Sequence, residues 1–407
     1  MRNVNRTIGV AAGCMVLFGL CPVFGQDWPQ WRGPNRDGKV AGFIAPKTWP
    51  KELTQKWSVK VGQGDATPAL VGDKLYVFAH SEGNEVTLCL EAATGKEIWR
   101  DQYAAEGASG PSSGHAGPRS SPVVAGGKIV TYGVRGTLSC LDAASGKVLW
   151  RKDDFPGEWP MFFTASSPMI IDGVCIAQLG GGNQGAVVAY DLATGDQKWK
   201  WTGDGTAYAS PVQATVGGIS MVVAMTAKKV VGLSAAEGKI LWELPFTAGG
   251  MAMNASTPIV QGDIVIYTGS GRGTRAVRIE KTADGFAAKE LWSDPGDSVK
   301  FNSPVVKDGR IYGLSQNGSL FCLDGQAGTT VWTTRVGGNG FGTIVDAGPV
   351  LIALTPAGEL SVFEPSDKEY KSLATYKVAK EPYASPVFGD KAVYVKDQDT
   401  VTLWSFE

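Results

Sequence analysis

The stretch CLDAASGKVLW (140–150) returns along the chain as CLEAATGKEIW (89–99), AYDLATGDQKW (189–199), GLSAAEGKILW (232–242) and CLDGQAGTTVW (322–332). Each copy is an apolar run, a polar turn with Gly, and a strand ending in Trp. A Ser-Pro or Thr-Pro pair opens the unit that follows: Thr67-Pro68, Ser121-Pro122, Ser167-Pro168, Ser210-Pro211, Thr257-Pro258, Ser303-Pro304 and Ser385-Pro386. Self-similarity at such a period means one small unit copied many times. Within a unit, short runs of Val, Ile, Leu and aromatic residues alternate with Gly-marked turns, the pattern of a four-stranded antiparallel meander.

The closing aromatic residues fall at Trp57, Trp99, Trp150, Trp199, Trp242, Trp292 and Trp332, with Tyr376 as an eighth. Four-stranded units of this size repeated radially make an all-β, eight-bladed propeller. The Pro-headed strands give the same count if Gly348-Pro349 is taken as a degenerate head for blade seven. The last unit, from Ser385, lacks a Gly turn and a closing Trp, whereas Leu53–Val59 reads as a closing strand with no blade before it. Pairing the two completes the ring and removes two open sheet edges. The expected organisation is a signal peptide over 1–25, an N-terminal extension over 26–52 and the propeller over 53–407. The Trp residues are expected to bury indole area between blades.

Composition agrees with many strands and tight turns: 54 Gly, 13 Trp and 19% charged residues among 407, with a net charge of -1. Without Arg2 and Arg6 of the leader, 36 basic residues face 39 acidic ones. Nothing in that balance points to nucleic acid or to an anionic membrane surface. The leader has Arg2 and Arg6 before an apolar centre from Ile8 to Leu20, then Val23-Phe24-Gly25, and reads as an export signal. Neither Cys14 nor Cys21 sits in a good lipoprotein cleavage box, so membrane contact is expected through partners, with a lipid anchor as the alternative. Beyond the leader, Cys89, Cys140 and Cys322 hold one repeat position and Cys175 another; all four are expected to be small buried apolar residues rather than disulfides or metal ligands.

Other chemical signals are thin. Gly180–Gly185 and Gly269–Gly273 lie between strands, with no helix to follow, and read as hairpin connections. His80 and His115 lack partners for a zinc site, and no Gly-x-Ser-x-Gly elbow occurs. One constellation stands out. The residues three positions before each Pro crowd the propeller axis at one face: Asp65, Arg119, Ala165, Tyr208, Ala255, Phe301, Asp346 and Tyr383. Thr164, Asn254 and Lys300, one position earlier, and Asn302 add polar groups. This rim is expected to bind a peptide or a small polar ligand, its alternative being a water-filled funnel of mutually satisfied groups.

The form best shown by Leu141–Trp150 resembles the repeat of the pyrroloquinoline-quinone (PQQ) propeller family, over about residues 54–407. The segment Asp27–Gly38 is similar to the start of many exported bacterial members. That resemblance implies one of two branches. Quinoprotein dehydrogenases hold PQQ and calcium on the axis, and many carry a ring of two adjacent cysteines, which is absent here. They also need a carboxylate and an amide on calcium and an Asp as base; Asp65, Asn254, Asn302 and Asp346 are the candidates, none in a transferable motif. The other branch is non-catalytic, like the scaffold subunit BamB of outer-membrane β-barrel assembly. The resemblance therefore implies a periplasmic or secreted binding and scaffolding module with a protein or peptide partner in the envelope and no cofactor. The alternative is a PQQ- and calcium-dependent oxidoreductase acting on alcohols or sugars.

Overall fold

Strands of two to ten residues joined by short turns within a unit pair with the next strand in the chain, so sequence order becomes sheet order inside each blade. The structure, a computed structural model, describes residues 27–249, 253–337 and 341–407. It contains eight antiparallel four-stranded sheets. Their spans are 69–104, 123–152, 169–201, 212–245, 259–294, 305–335 and 343–377 for blades one to seven. Blade eight combines 387–405 with the early strand Thr54–Lys60, which pairs antiparallel with Thr400–Ser405. In that register Trp57 faces Leu403 and Gln55 faces Trp404, so the expected closure of the ring is present. The readings of a leader and of Cys14 and Cys21 lie outside the described residues.

The core sits between blades rather than within them, because a four-stranded sheet has two apolar faces to cover. Blades two and three share Val130, Tyr132, Cys175 and Val188; blades four and five share Met221, Val223, Val265 and Tyr267. A bulge just before the Trp of seven outer strands turns that side chain toward the next blade. It recurs between residues pairing with Trp57, Trp99, Trp150, Trp199, Trp242, Trp292 and Trp332. In blade seven the same bulge precedes Ala374, so Tyr376, expected as the eighth member of the series, lies two residues past the Trp position.

The indoles then reach across. Trp57, Trp99, Trp150, Trp199, Trp292 and Trp332 donate Nε1–H to carbonyls of Ala92, Ala143, Leu192, Ala235, Gly325 and Ser366 on the following blade, at 2.9–3.1 Å. At roughly 25 cal/mol per Å2, an indole burying about 200 Å2 contributes about 5 kcal/mol. The repeat Gly lies under the ring: at Gly146, with φ +74°, a Cβ would stand 2.5 Å from Trp99 Cε3. Trp242 departs from the pattern. Blade five replaces the Gly turn by a long hairpin, Gly273–Thr282 against Gly285–Asp294, and Trp242 Nε1 turns to Met221 Sδ in its own blade at 3.2 Å. The four described cysteines are buried free thiols.

The Ser/Thr-Pro pairs have a role that spacing alone does not reveal. Each hydroxyl accepts the backbone N–H of the equivalent residue one blade earlier: Ser385 to Thr67, Thr67 to Ser121, Ser121 to Ser167, Ser167 to Ser210, Ser210 to Thr257 and Thr257 to Ser303. This hydrogen-bonded circuit encircles the axis. A small side chain with one acceptor meets both the space and the orphan N–H of a crowded inner strand. The circuit lapses at blade seven, where Thr343 is buried with its hydroxyl unpartnered.

Blade seven also corrects the sequence reading. Its inner strand is Thr343–Asp346, so Gly348-Pro349 lies after that strand, in the turn to Leu351–Leu354, and does not head it. Matching Val345↔Ile352 to Val305↔Tyr312 of blade six makes Phe341 the counterpart of Phe301. Asp346 sits at the far end of the strand.

The N-terminal extension enters the ring from that far end. Ile44 N–H donates to Asp390 O, Val40 N–H to Asp346 O, Trp28 N–H to Leu70 O, and Val124 N–H to Pro29 O. Deeper, Trp31 Nε1 donates to Thr257 Oγ1 at 2.9 Å. Arg32 donates to Ser303 O and Pro304 O at 2.7 and 2.6 Å, and Arg36 to Pro168 O and Ser167 O at 2.8 and 2.9 Å. The segment thus bolts together blades one, two, three, five, six, seven and eight from inside. Both guanidiniums are buried with carbonyls as partners, and burial pulls their pKa down to about 10 for Arg32 and about 9 for Arg36.

Candidate functional site

With the axis filled from one side, the opposite mouth becomes a blind funnel of about 370 Å3. Trp31, the tip of the bolt, forms its floor, level with the hydroxyls of Ser167, Ser210 and Thr257. The residues just ahead of the inner strands form the wall: Asp65, Arg119, Tyr208, Phe301, Phe341 and Tyr383. They converge because each inner strand starts at this mouth, and the residue three before the Pro is the first to face the axis.

The wall has two characters. One side is aromatic: Phe341 stacks on Phe301 at 4.3 Å and meets Tyr383 edge-on at 4.6 Å. Phe162, from the connection between blades two and three, adds a ring beside Tyr208, 6.4 Å between centroids, and donates its N–H to Tyr208 Oη at 2.9 Å. Met161 beside it is 75% exposed and Phe301 is 38% exposed, so the lip is apolar as well. The other side is charged. His115 Nδ1 lies 3.0 Å from Asp65 Oδ2, brought there by the short 3-10 turn Gly110–His115. The Asp65 hydrogen bond holds the imidazole pKa above its ordinary value, with burial opposing.

Arg119 donates Nη1–H to Phe162 O at 2.9 Å and Nη2–H to His115 O at 3.0 Å; burial lowers its pKa, with Asp65 opposing. Behind Asp65, Lys396 is 1% exposed and donates Nζ–H to Gly64 O, Asp397 O and Gln398 O. Burial brings the Lys396 pKa down to about 8, with Asp65 opposing.

Several residues expected at the rim are elsewhere. Thr164 is buried, donating Oγ1–H to Gly133 O at 2.6 Å. Asn254 is wholly enclosed: its Oδ1 accepts Ala248 N–H, and its Nδ2 donates to Thr226 O and Phe246 O. Asn302 is buried and donates Nδ2–H to Leu314 O. Successive side chains of extended backbone point to opposite sides, so neighbours of a rim residue turn into the blades. Lys300 lies over the Phe301 ring at 4.9 Å, outside the funnel lining. Asp346 belongs to the far mouth, paired with Lys307 at 3.2 Å and accepting Gly348 N–H.

Sequence reasoning missed Trp31, His115, Phe162 and Phe341. Phe341 was within reach, since the apolar run Thr343–Val345 marks the true strand head. The others arrive from irregular connections and from the extension, where no period exists to place them.

Comparison with known proteins adds the following. A family model described as "Outer membrane protein assembly factor BamB" matches residues 83–334. The chain is 26% identical over 336 residues to the outer membrane protein assembly factor BamB of Yersinia pestis, covering 79% of this chain and 72% of that protein. It is 27% identical over 186 residues to the quinohemoprotein alcohol dehydrogenase of Comamonas testosteroni, a match that spans only 25% of the dehydrogenase. The solved structure of BamB from Moraxella catarrhalis superimposes with a TM-score of 0.64 at 16% identity, covering 87% of this chain and 98% of that one, and so shares the fold.

Proposed function

We propose, from the premise that the chain belongs to the family of PQQ-repeat propellers described as outer membrane protein assembly factor BamB, that it is a non-catalytic propeller of the cell envelope holding a protein partner at the mouth of its funnel. The observation that carries this reading is the funnel itself: an open mouth, an apolar aromatic lip and a rigid eight-bladed frame closed from below by its own N-terminal segment. Aromatic side chains around a desolvated arginine are the composition that anchors protein interfaces. The likeness to BamB relatives runs through most of both chains, whereas the dehydrogenase likeness is confined to a quarter of the enzyme.

The residues do not fit a calcium-bound quinone. Asp65 is engaged by His115, Asn254 and Asn302 bond backbone inside the blades, and Asp346 is at the other mouth. Among the described residues no three His, Cys, Asp or Glu side chains cluster as a metal set. We therefore assign no step to PQQ. In this reading the protein is periplasmic and reaches the membrane through its partners.

The test is affinity capture from envelope extract with the wild-type chain and with an Arg119→Ala/Tyr208→Ala variant of unchanged circular dichroism. A partner retained by the former and lost by the latter is the expected result. Equal capture by both removes the funnel from the interface. Added PQQ and calcium should give no dye reduction with alcohols or sugars; turnover would overturn the non-catalytic reading.

A further inference from the structure

One cation beside the funnel has no direct acidic partner. Asp65, among the described residues the one carboxylate lining it, faces His115 at 3.0 Å, and the buried ammonium of Lys396 is offset by Asp65, Asp397 and Asp399. Arg119 is stabilised by the Asp65 charge only at a distance. A guanidinium has five N–H donors, and here one donates to Phe162 O and one to His115 O, both neutral acceptors. Among the described residues no carboxylate is bonded to it, and burial already penalises its charge. A half-buried cation with unused donors at the side of a cavity calls for an anion, and a planar fork favours one that can accept two parallel bonds.

The rest of the lining limits what carries that anion. Trp31, Phe162, Phe341 and Tyr383 offer ring surface and few polar atoms. Phosphate or sulfate would place most of its oxygens against carbon. A cation held in an aromatic cage would have to sit beside Arg119 and Lys396. At about 370 Å3 the funnel is near the lower end of ligand cavities, roughly 300–1,000 Å3, and takes one side chain or chain end rather than a folded loop.

We propose that the funnel binds a carboxylate borne on an aromatic or aliphatic body, the Arg119 guanidinium taking the carboxylate and Trp31, Phe162, Phe341 and Tyr383 enclosing the apolar part. This deepens the partner-binding reading and rests on it only for the source of the ligand. The same chemistry is offered by the C-terminal residue of a peptide and by a small free acid.

Calorimetric titration of the full chain with N-acetylphenylalanine and with its amide tests the proposal without altering the protein. The acid should bind at least tenfold more tightly, and Arg119→Gln should erase the difference while Arg119→Lys keeps part of it. Equal binding of acid and amide, or no binding of either, overturns the proposal. A hexapeptide ending in a free-carboxylate Phe, against its C-terminal amide, distinguishes the sources. If the peptide acid binds as well as N-acetylphenylalanine, the ligand is a chain end. If only the small acid binds, the carboxylate site stands and the protein-partner reading of the funnel falls. Capture of a partner alongside failure of every carboxylate probe overturns the carboxylate site and leaves the partner reading standing.

Discussion

Replacing Gly146 by Ala separates two reasons for glycine in this repeat, and Gly173 supplies the control. Both residues have left-handed backbone, φ +74° and +76°. A Cβ at Gly173 would meet nothing within 4 Å, whereas at Gly146 it would lie 2.5 Å from Trp99 Cε3 and 2.7 Å from Cδ2. The left-handed conformation alone costs an alanine about 1–2 kcal/mol, and that sum is common to both variants. At Gly146 the indole must also retreat by about 1 Å, because contacts under 3 Å are not sustained. It is held by its bond to Ala143 O at 3.1 Å, so retreat strains that bond and opens the seam between blades one and two. Overpacking of this kind adds about 1–3 kcal/mol. Gly146→Ala should therefore unfold with about 2–5 kcal/mol less stability, Gly173→Ala with about 1–2 kcal/mol less. Urea unfolding followed by tryptophan fluorescence, with far-UV circular dichroism as a second probe, measures both. Equal losses would refute the claim that the repeat glycine is set by the neighbouring indole.

Four further outcomes follow from other parts of the ring. Arg32→Ala leaves the Ser303 and Pro304 carbonyls buried without their donor; after the relief of guanidinium desolvation the net loss should be about 2–4 kcal/mol in the same urea assay. The exposed Arg100→Ala, which breaks only a surface pair with Glu97, should change stability by less than about 1 kcal/mol. Deleting the described residues through Val61 removes both the bolt and the strand paired with Thr400–Ser405, so the remaining chain should melt at a lower temperature and less cooperatively than the full chain. The His115–Asp65 pair raises the folded imidazole pKa, so its contribution is complete below the unfolded value and is lost as pH rises through the folded one. Stability should thus decline with pH across that window in the wild type, and Asp65→Asn should flatten the slope in thermal melts taken at a series of pH values.

The blade count and the closing strand were legible because both depend on periodicity, and a repeated Gly-to-Trp segment states its own register. The error at blade seven has the same root: where Gly342-Thr343-Ile344 replaces the Ser/Thr-Pro pair, the nearest Pro pointed to the wrong turn and carried Asp346 with it. The funnel was only half legible. Asp65, Arg119, Tyr208, Phe301 and Tyr383 share a repeat position and converge as the period requires. Asn254 and Thr164 are one residue off that position, and strand alternation turns them away. Trp31 and His115 come from segments without a period, and only the folded chain brings them to the axis.

The most direct test of the account places a photo-crosslinking amino acid at Phe341 or Tyr383 on the funnel mouth, and separately at the exposed outer-strand position Lys289. Irradiation of the protein in its native envelope should give a discrete protein adduct from the mouth positions and none from Lys289. Adducts from Lys289 alone would contradict the claim that this propeller holds its partner at the funnel.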